Sequence, residues 1–166
     1  MKPAYFAVYP VLFTLLSGIT GAGAQETQKT TDSSTLPIDV EADTGTYDQL
    51  AGLAVYSGNV KVNQGVATIW AHKLTVILKH NTAERLEAEG NSKAPVRFEY
   101  KGNKQPIVGK GEKVVYTVVD KIVTLSGNAV VQQGQDIIKG NQLTYNLQKE
   151  VIGGSRVKMT FLPGNK

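Results

Sequence analysis

The side chains able to do chemistry are few. Two histidines, His72 and His80, stand eight positions apart, and the absence of cysteine removes disulfides, thiolate metal sites and thiol nucleophiles together. No glycine-rich loop leads into a helical stretch, and no nucleophile, base and orienting group are gathered by any pattern. Each histidine reads as a surface residue. Asp39, Glu41 and Asp43 form the one regularly spaced run of acids. Alternate residues of a strand share a face about 7 Å apart, too far for neighbours to chelate one ion without help from another segment. The run therefore reads as a solvated outer face. A glycosidase-like carboxylate pair would need acids from distant strands, and nothing in the spacing points to one.

The elements that would position such groups declare themselves through an internal repeat. Ser57-Gly58-Asn59-Val60-Lys61-Val62-Asn63-Gln64-Gly65 returns as Ser126-Gly127-Asn128-Ala129-Val130-Val131-Gln132-Gln133-Gly134, a step of 69 positions. The match continues through Ile69 and Ile138, Leu74-Thr75 and Leu143-Thr144, and Leu78 and Leu147, and reaches back to Tyr47 and Tyr116. One supersecondary unit is used twice. Gly-Asn is a turn signal because both residues tolerate positive φ, and the flanking runs alternate apolar and polar as half-buried strands do. With 17 glycines, many at such positions, an all-β domain is expected. About 14 to 16 short antiparallel strands can be counted, more than a simple seven-stranded sandwich holds.

Alternation also sorts the faces. Ile38, Val40 and Ala42 share one side of the first strand, and Val96, Phe98 and Tyr100 point inward opposite Arg97 and Glu99. Val114, Tyr116 and Val118 open the second repeat, and Val157, Met159 and Phe161 close it. Val60, Val62, Leu74, Val76, Val131, Leu143 and Tyr145 are expected inside. Trp70 falls outward, as a contact residue or under the hydrophilic loop 101–105, and Asp136 shares the inward face of Ile138, at a rim.

Residues 1–24 have the marks of a cleaved signal peptide: Lys2, an apolar stretch from Ala4 to Leu16 broken by Pro10, and Ala22-Gly23-Ala24 as the cleavage site. The stretch is shorter than the roughly 20 residues of a membrane span. Residues 25–35 lack apolar periodicity and read as a flexible leader, residues 36–162 as the folded domain, and 163–166 as a tail. The net charge of +4 comes from scattered lysines without a basic cluster or aromatic-basic interleaving, which gives no support for a nucleic-acid partner.

Pro37-Ile38 with Glu41-Ala42-Asp43, Gly58-Asn59-Val60 with Gln64-Gly65, Pro95-Val96-Arg97-Phe98, and Ser126-Gly127-Asn128-Ala129 with Gln132-Gln133 and Ile138-Lys139-Gly140 carry a resemblance in their order. The chain resembles the OstA-like family of periplasmic lipopolysaccharide transport proteins over about residues 36 to 162. The resemblance implies an open, folded-over β-jellyroll whose apolar interior shelters acyl chains, with no enzymatic activity, cofactor or metal. It implies periplasmic location and head-to-tail self-association between an inner-membrane-anchored transport component and an outer-membrane translocon. Carried onto this chain, the lipid-facing residues would be Ile38, Val40, Phe98, Tyr116 and Val118. Open strand edges can pair with another chain, and the candidate edges here hold Ile38 and Val40 at one end and Val157, Met159 and Phe161 at the other. A closed structural β-solenoid of the cell envelope, or a carrier of another lipid, would share every strand signal.

Overall fold

The computed structural model describes residues 36–102 and 105–161. The expected signal peptide, leader and tail lie outside them. Twelve strands form one antiparallel sheet: β1 Asp39–Glu41, β2 Thr44–Asp48, β3 Leu53–Gln64, β4 Ala67–Lys79, β5 Thr82–Glu89, β6 Val96–Tyr100, β7 Ile107–Gly111, β8 Lys113–Thr117, β9 Ile122–Gln133, β10 Asp136–Asn146, β11 Val151–Ser155 and β12 Lys158–Thr160. The fold class is the expected all-β jellyroll, but the strands are fewer and longer than counted from sequence.

The reason lies at the Gly-Asn pairs, which are corners rather than turns. Gly58 and Asn59 (φ 79° and 46°) sit inside β3, and Gly127 and Asn128 (φ 77° and 50°) inside β9. The register of β3 on β4 slips between Ser57 and Val60, as at a β-bulge. A bulge bends a strand without ending it. Each corner is clasped by an acid one repeat apart. The Asp43 backbone N–H donates to the Gly58 carbonyl at 2.9 Å, while its carboxylate accepts the Asn59 amide at 2.9 Å. Glu112 does the same for Gly127 and Asn128, both at 3.1 Å. Asp43 is exposed, as Asp39 and Glu41 are, but it lies beyond β1 and serves the corner.

Because β3, β4, β9 and β10 bend through these corners, each belongs to two layers. The first layer holds β2, β5, β8 and β11 between and beside the halves at 53–57, 73–79, 122–126 and 142–146. The second holds β1, β6, β7 and β12 with the halves at 60–64, 67–71, 129–133 and 136–140. The strand segments counted from sequence are these halves. The layers meet at the corner line and face each other across the interior, where Leu74, Val114, Val123, Leu125 and Leu143 are fully buried. All seven residues expected inside, from Val60 to Tyr145, are buried. Tyr100 of the second layer meets Tyr145 of the first edge-on, at 6.4 Å between ring centroids. Gly109 is an inward glycine of need: a Cβ there would stand 2.6 Å from Leu125 Cδ2, so the layers close to contact.

The repeat is larger than the sequence match suggested. β7 went unseen in the sequence, yet Val108 lies one repeat step after Asp39, so β1–β6 and β7–β12 are two copies of a six-strand unit. They join where β5 pairs β8 and β6 pairs β7. On the outer face of that seam Lys113 Nζ donates to Glu87 Oε2 at 2.7 Å, with Arg85 2.8 Å from the same carboxylate. The Lys113 hydrogen bond holds Glu87 below its ordinary 4.5, and Glu87 in turn raises Lys113 above 10.5. A depressed carboxylate stabilises the fold above 4.5 and loses that contribution as pH falls through its lower folded value. The raised lysine contributes below 10.5 and is lost as pH climbs past its folded value. With the lysine side chain 42% exposed, the pair is worth no more than about 1 kcal/mol. In thermal melts Glu87→Gln is expected to lower Tm by a constant few degrees between about pH 6 and 9, and the gap to the parent should close on acidification.

Candidate functional site

The apolar interior is closed at its middle and open at one end. In the middle, a cavity of about 20 Å³ is lined by Val62, Ile69, Leu86, Phe98, Tyr116 and neighbours. Toward β1 and β2 the layers part, and a mouth of about 340 Å³ is lined by Ile38, Val40, Tyr47, Tyr56, Val76 and Leu78 among others. The volume lies at the lower end of the range of ligand pockets. Its wall is nearly all aliphatic and aromatic, with the Tyr47 hydroxyl donating to Asn81 Oδ1 at 3.1 Å across it. Such a mouth offers apolar contact and no catalytic group. Its shape comes from strand shortness: β1 covers only three residues of β3, whereas strands of five residues or more cover the middle.

The five residues assigned to lipid fall into three places. Phe98 and Tyr116 share the central cavity, 2% and 7% exposed. Ile38 and Val40, half-buried, line the mouth. Val118 lies just past the end of β8, buried with its N–H donating to the Glu84 carbonyl at 3.0 Å, and lines neither. Ile38 precedes β1 rather than lying within it, held in place where the buried Gln64 amide donates to the Leu36 carbonyl at 3.1 Å.

At the two ends the edges are double. β1 and β2 end one side, β11 and β12 the other, and alternation had pointed only to β1 and β12. Tyr47, Val151, Met159 and Phe161 stand exposed on these strands or directly beside them, at 45% to 66%. The periodic signal that marked Met159 also runs through Tyr47, which belongs to the repeat itself. Trp70 is outward as expected, but its cover is Arg97, whose guanidinium lies 5.0 Å from the ring centroid. Asp136 is half-buried at the first position of β10, beside the turn that forms the rim. His72 and His80 are exposed.

A family of transport proteins described as LptA/(LptD N-terminal domain) LPS transport proteins matches residues 39–151, from β1 into β11. The chain belongs to this family. The lipopolysaccharide export system protein LptA of Haemophilus influenzae is 30% identical over 141 residues, 80% of each chain. The protein of the same name from Escherichia coli K12 is 28% identical over 132 residues, 76% of this chain and 71% of its own. Among solved structures, LptH of Pseudomonas aeruginosa, described as the LptA-homologous periplasmic component of the lipopolysaccharide transport device, superposes with a TM-score of 0.73 at 26% identity. The match covers 79% of this chain and 99% of LptH. The LptA-type fold therefore extends over both six-strand units.

Proposed function

We propose that the protein is a periplasmic lipopolysaccharide-binding bridge, non-enzymatic, that shelters acyl chains between the inner and outer membranes and joins head to tail with copies of itself. The observation that carries this is an apolar interior open at a mouth and flanked by two unlike, unpaired strand pairs. An acyl chain of about a dozen methylenes costs on the order of 10 kcal/mol to expose to water, at about 0.8 kcal/mol per CH₂. Continuous apolar cover removes that barrier without any catalytic group. Family membership supports the substrate, and the reading adds an inner-membrane-anchored partner at one end and an outer-membrane translocon at the other. Export through cleavage after Ala24 completes the reading.

The internal seam supports the mode of joining. β7 and β8 repeat β1 and β2, while β12 stands to β10 as β6 stands to β4. Phe98 and Met159 both face the isoleucine of the repeat, Ile69 and Ile138. Within the chain, Arg97 opposes Lys110, Phe98 opposes Gly109 and Leu86 opposes Tyr116. Applied between copies, the same register sets Lys158 against Glu41, Met159 against Val40, and Ile152 against Tyr47. A repulsive pair inside the chain becomes an attractive one between chains.

The tightly filled middle favours a second reading, a closed structural adaptor, since its cavity of about 20 Å³ holds no chain as it stands. Photo-crosslinkers at positions 40, 98 and 116, with position 73 on the outer face of the first layer as outward control, separate the two in purified protein incubated with lipopolysaccharide. Adducts at all three inward sites and none at 73 are expected, with the layers parting from the mouth inward. Folded protein giving no adduct at any site would leave the adaptor.

A further inference from the structure

Lysines scattered in sequence are aligned by the fold. On the outer face of the second layer the register places Lys61, Trp70, Arg97, Lys110, Lys139 and Lys158 in one cross-strand row, closed at the β1 end by Glu41. Only Val130 interrupts it, between Lys110 and Lys139. With neighbouring strands about 4.8 Å apart, the row is about 29 Å long and one side chain wide.

Two features separate this row from an ordinary solvated face. Arg97 lies directly opposite Lys110, and Lys139 opposite Lys158. Like charges so placed destabilise a sheet. On the first layer, by contrast, Arg85, Glu87, Glu89 and Lys113 neutralise one another. Among the described residues, Arg97 is the one cation of the row in an ion pair, with Glu99. Toward one end, Lys139 and Lys158 line with Arg156, Asn128 and Asn141 a surface hollow of about 400 Å³. The row also ends beside the mouth, since Glu41, which closes it, follows Val40 of the mouth lining. Lys61 is about 13 Å of strand from the Gly65 turn at the layer's tip. The intervening row offers Asn63, Thr68, Gln132 and Thr160, neutral hydrogen-bonding groups, together with Val108 and Ile137, and holds two acids, Asp39 and Glu99.

A compact anion needs converging cations, and a membrane surface suits cations spread over a whole face. A narrow row suits a linear polyanion lying along it. We propose that the row binds the anionic saccharide portion of the lipid whose acyl chains occupy the interior, the saccharide leaving at the mouth and folding back over the second layer. This rests on the lipopolysaccharide reading.

The probe is the phosphorylated oligosaccharide obtained by complete deacylation of lipopolysaccharide, titrated into the full mature chain by calorimetry at low and at physiological salt. Binding is expected to weaken with salt and, in the variant Lys110→Gln/Lys139→Gln, to fall by about tenfold, as two charge contacts are lost. Lys73→Gln, on the outer face of the first layer, should bind as the parent does. Dephosphorylated oligosaccharide should bind the parent as weakly as the variant binds the phosphorylated one. The variant's Tm should equal or exceed the parent's, because repulsion has been removed. No binding by the parent, or equal binding by the variant, overturns the proposal, as does equal lysine-dependent binding of a single-stranded oligonucleotide. Photo-adducts of intact lipopolysaccharide from positions 98 and 116 report separately on the interior. If they persist while the oligosaccharide fails to bind, the row alone is refuted. If they vanish too, the carrier reading falls with it.

Discussion

Met159→Asp is expected to keep the chain monomeric at concentrations where the parent self-associates, with affinity lowered at least about a hundredfold. In the register inherited from the internal seam Met159 faces Val40 of a second copy, so the substitution buries a carboxylate with no partner. Such a group costs several kcal/mol, and about 3 kcal/mol already exceeds a hundredfold. The monomer itself should be unharmed, because Met159 is 45% exposed and β12 is paired over only three residues. Sedimentation velocity reads the association and circular dichroism the fold. The register has its own check. Lys158→Glu should weaken association by repelling Glu41 of the second copy, and adding Glu41→Lys should restore it. If the single and double variants associate alike, copies do not join in this register.

Gly127→Val should lower stability by about 3 kcal/mol and Tm by roughly 10 °C, while Gly153→Val should be close to neutral. At Gly127 φ is 77°, a region that side chains with a branched Cβ scarcely enter, and an added Cβ would stand 2.8 Å from Glu112 Cβ. The substitution therefore strains the backbone and displaces the acid that clasps Asn128. At Gly153 an added Cβ meets nothing within 4 Å, and a strand favours valine over glycine. Matched melts of the two variants decide the matter. Equal losses would mean that the corner needs neither positive φ nor the clasp.

The repeat, the alternating faces and much of the core were legible because strand periodicity survives in the amino-acid pattern, although Leu86, Ile107, Val123 and Leu125, equally buried, were not singled out by it. What Gly58-Asn59 does was not, because turns and bulges draw on the same residues tolerant of positive φ. The deciding partner, Asp43, sits 16 residues away in Asn59's hydrogen bond. β7 was hidden by Gly109 and Gly111, whose missing side chains erase alternation where the layers approach most closely. The step of 69 positions, extended back from Tyr116 to Val108, would have revealed it. The lipid-facing assignment divided because alternation reports which face a side chain takes and not whether space remains in front of it. Phe98 and Ile38 share a face pattern, yet one meets a filled middle and the other an open mouth. The basic row was illegible for a different reason, since its members are neighbours only through registers spanning the whole chain.

The three-residue length of β1 and β12 bears on how such a bridge responds to pulling. Strands here run across the direction in which copies would be added, so tension along a filament draws on the hydrogen bonds end-on and peels them singly instead of shearing them as a set. Inside the chain each seam strand is at least five residues long, whereas of the two contacts between copies, β11 to β2 and β12 to β1, the second offers only three. Under load a filament of this protein would part between copies before any one of them unravels, and intact units would be left to rejoin when the membranes draw together again.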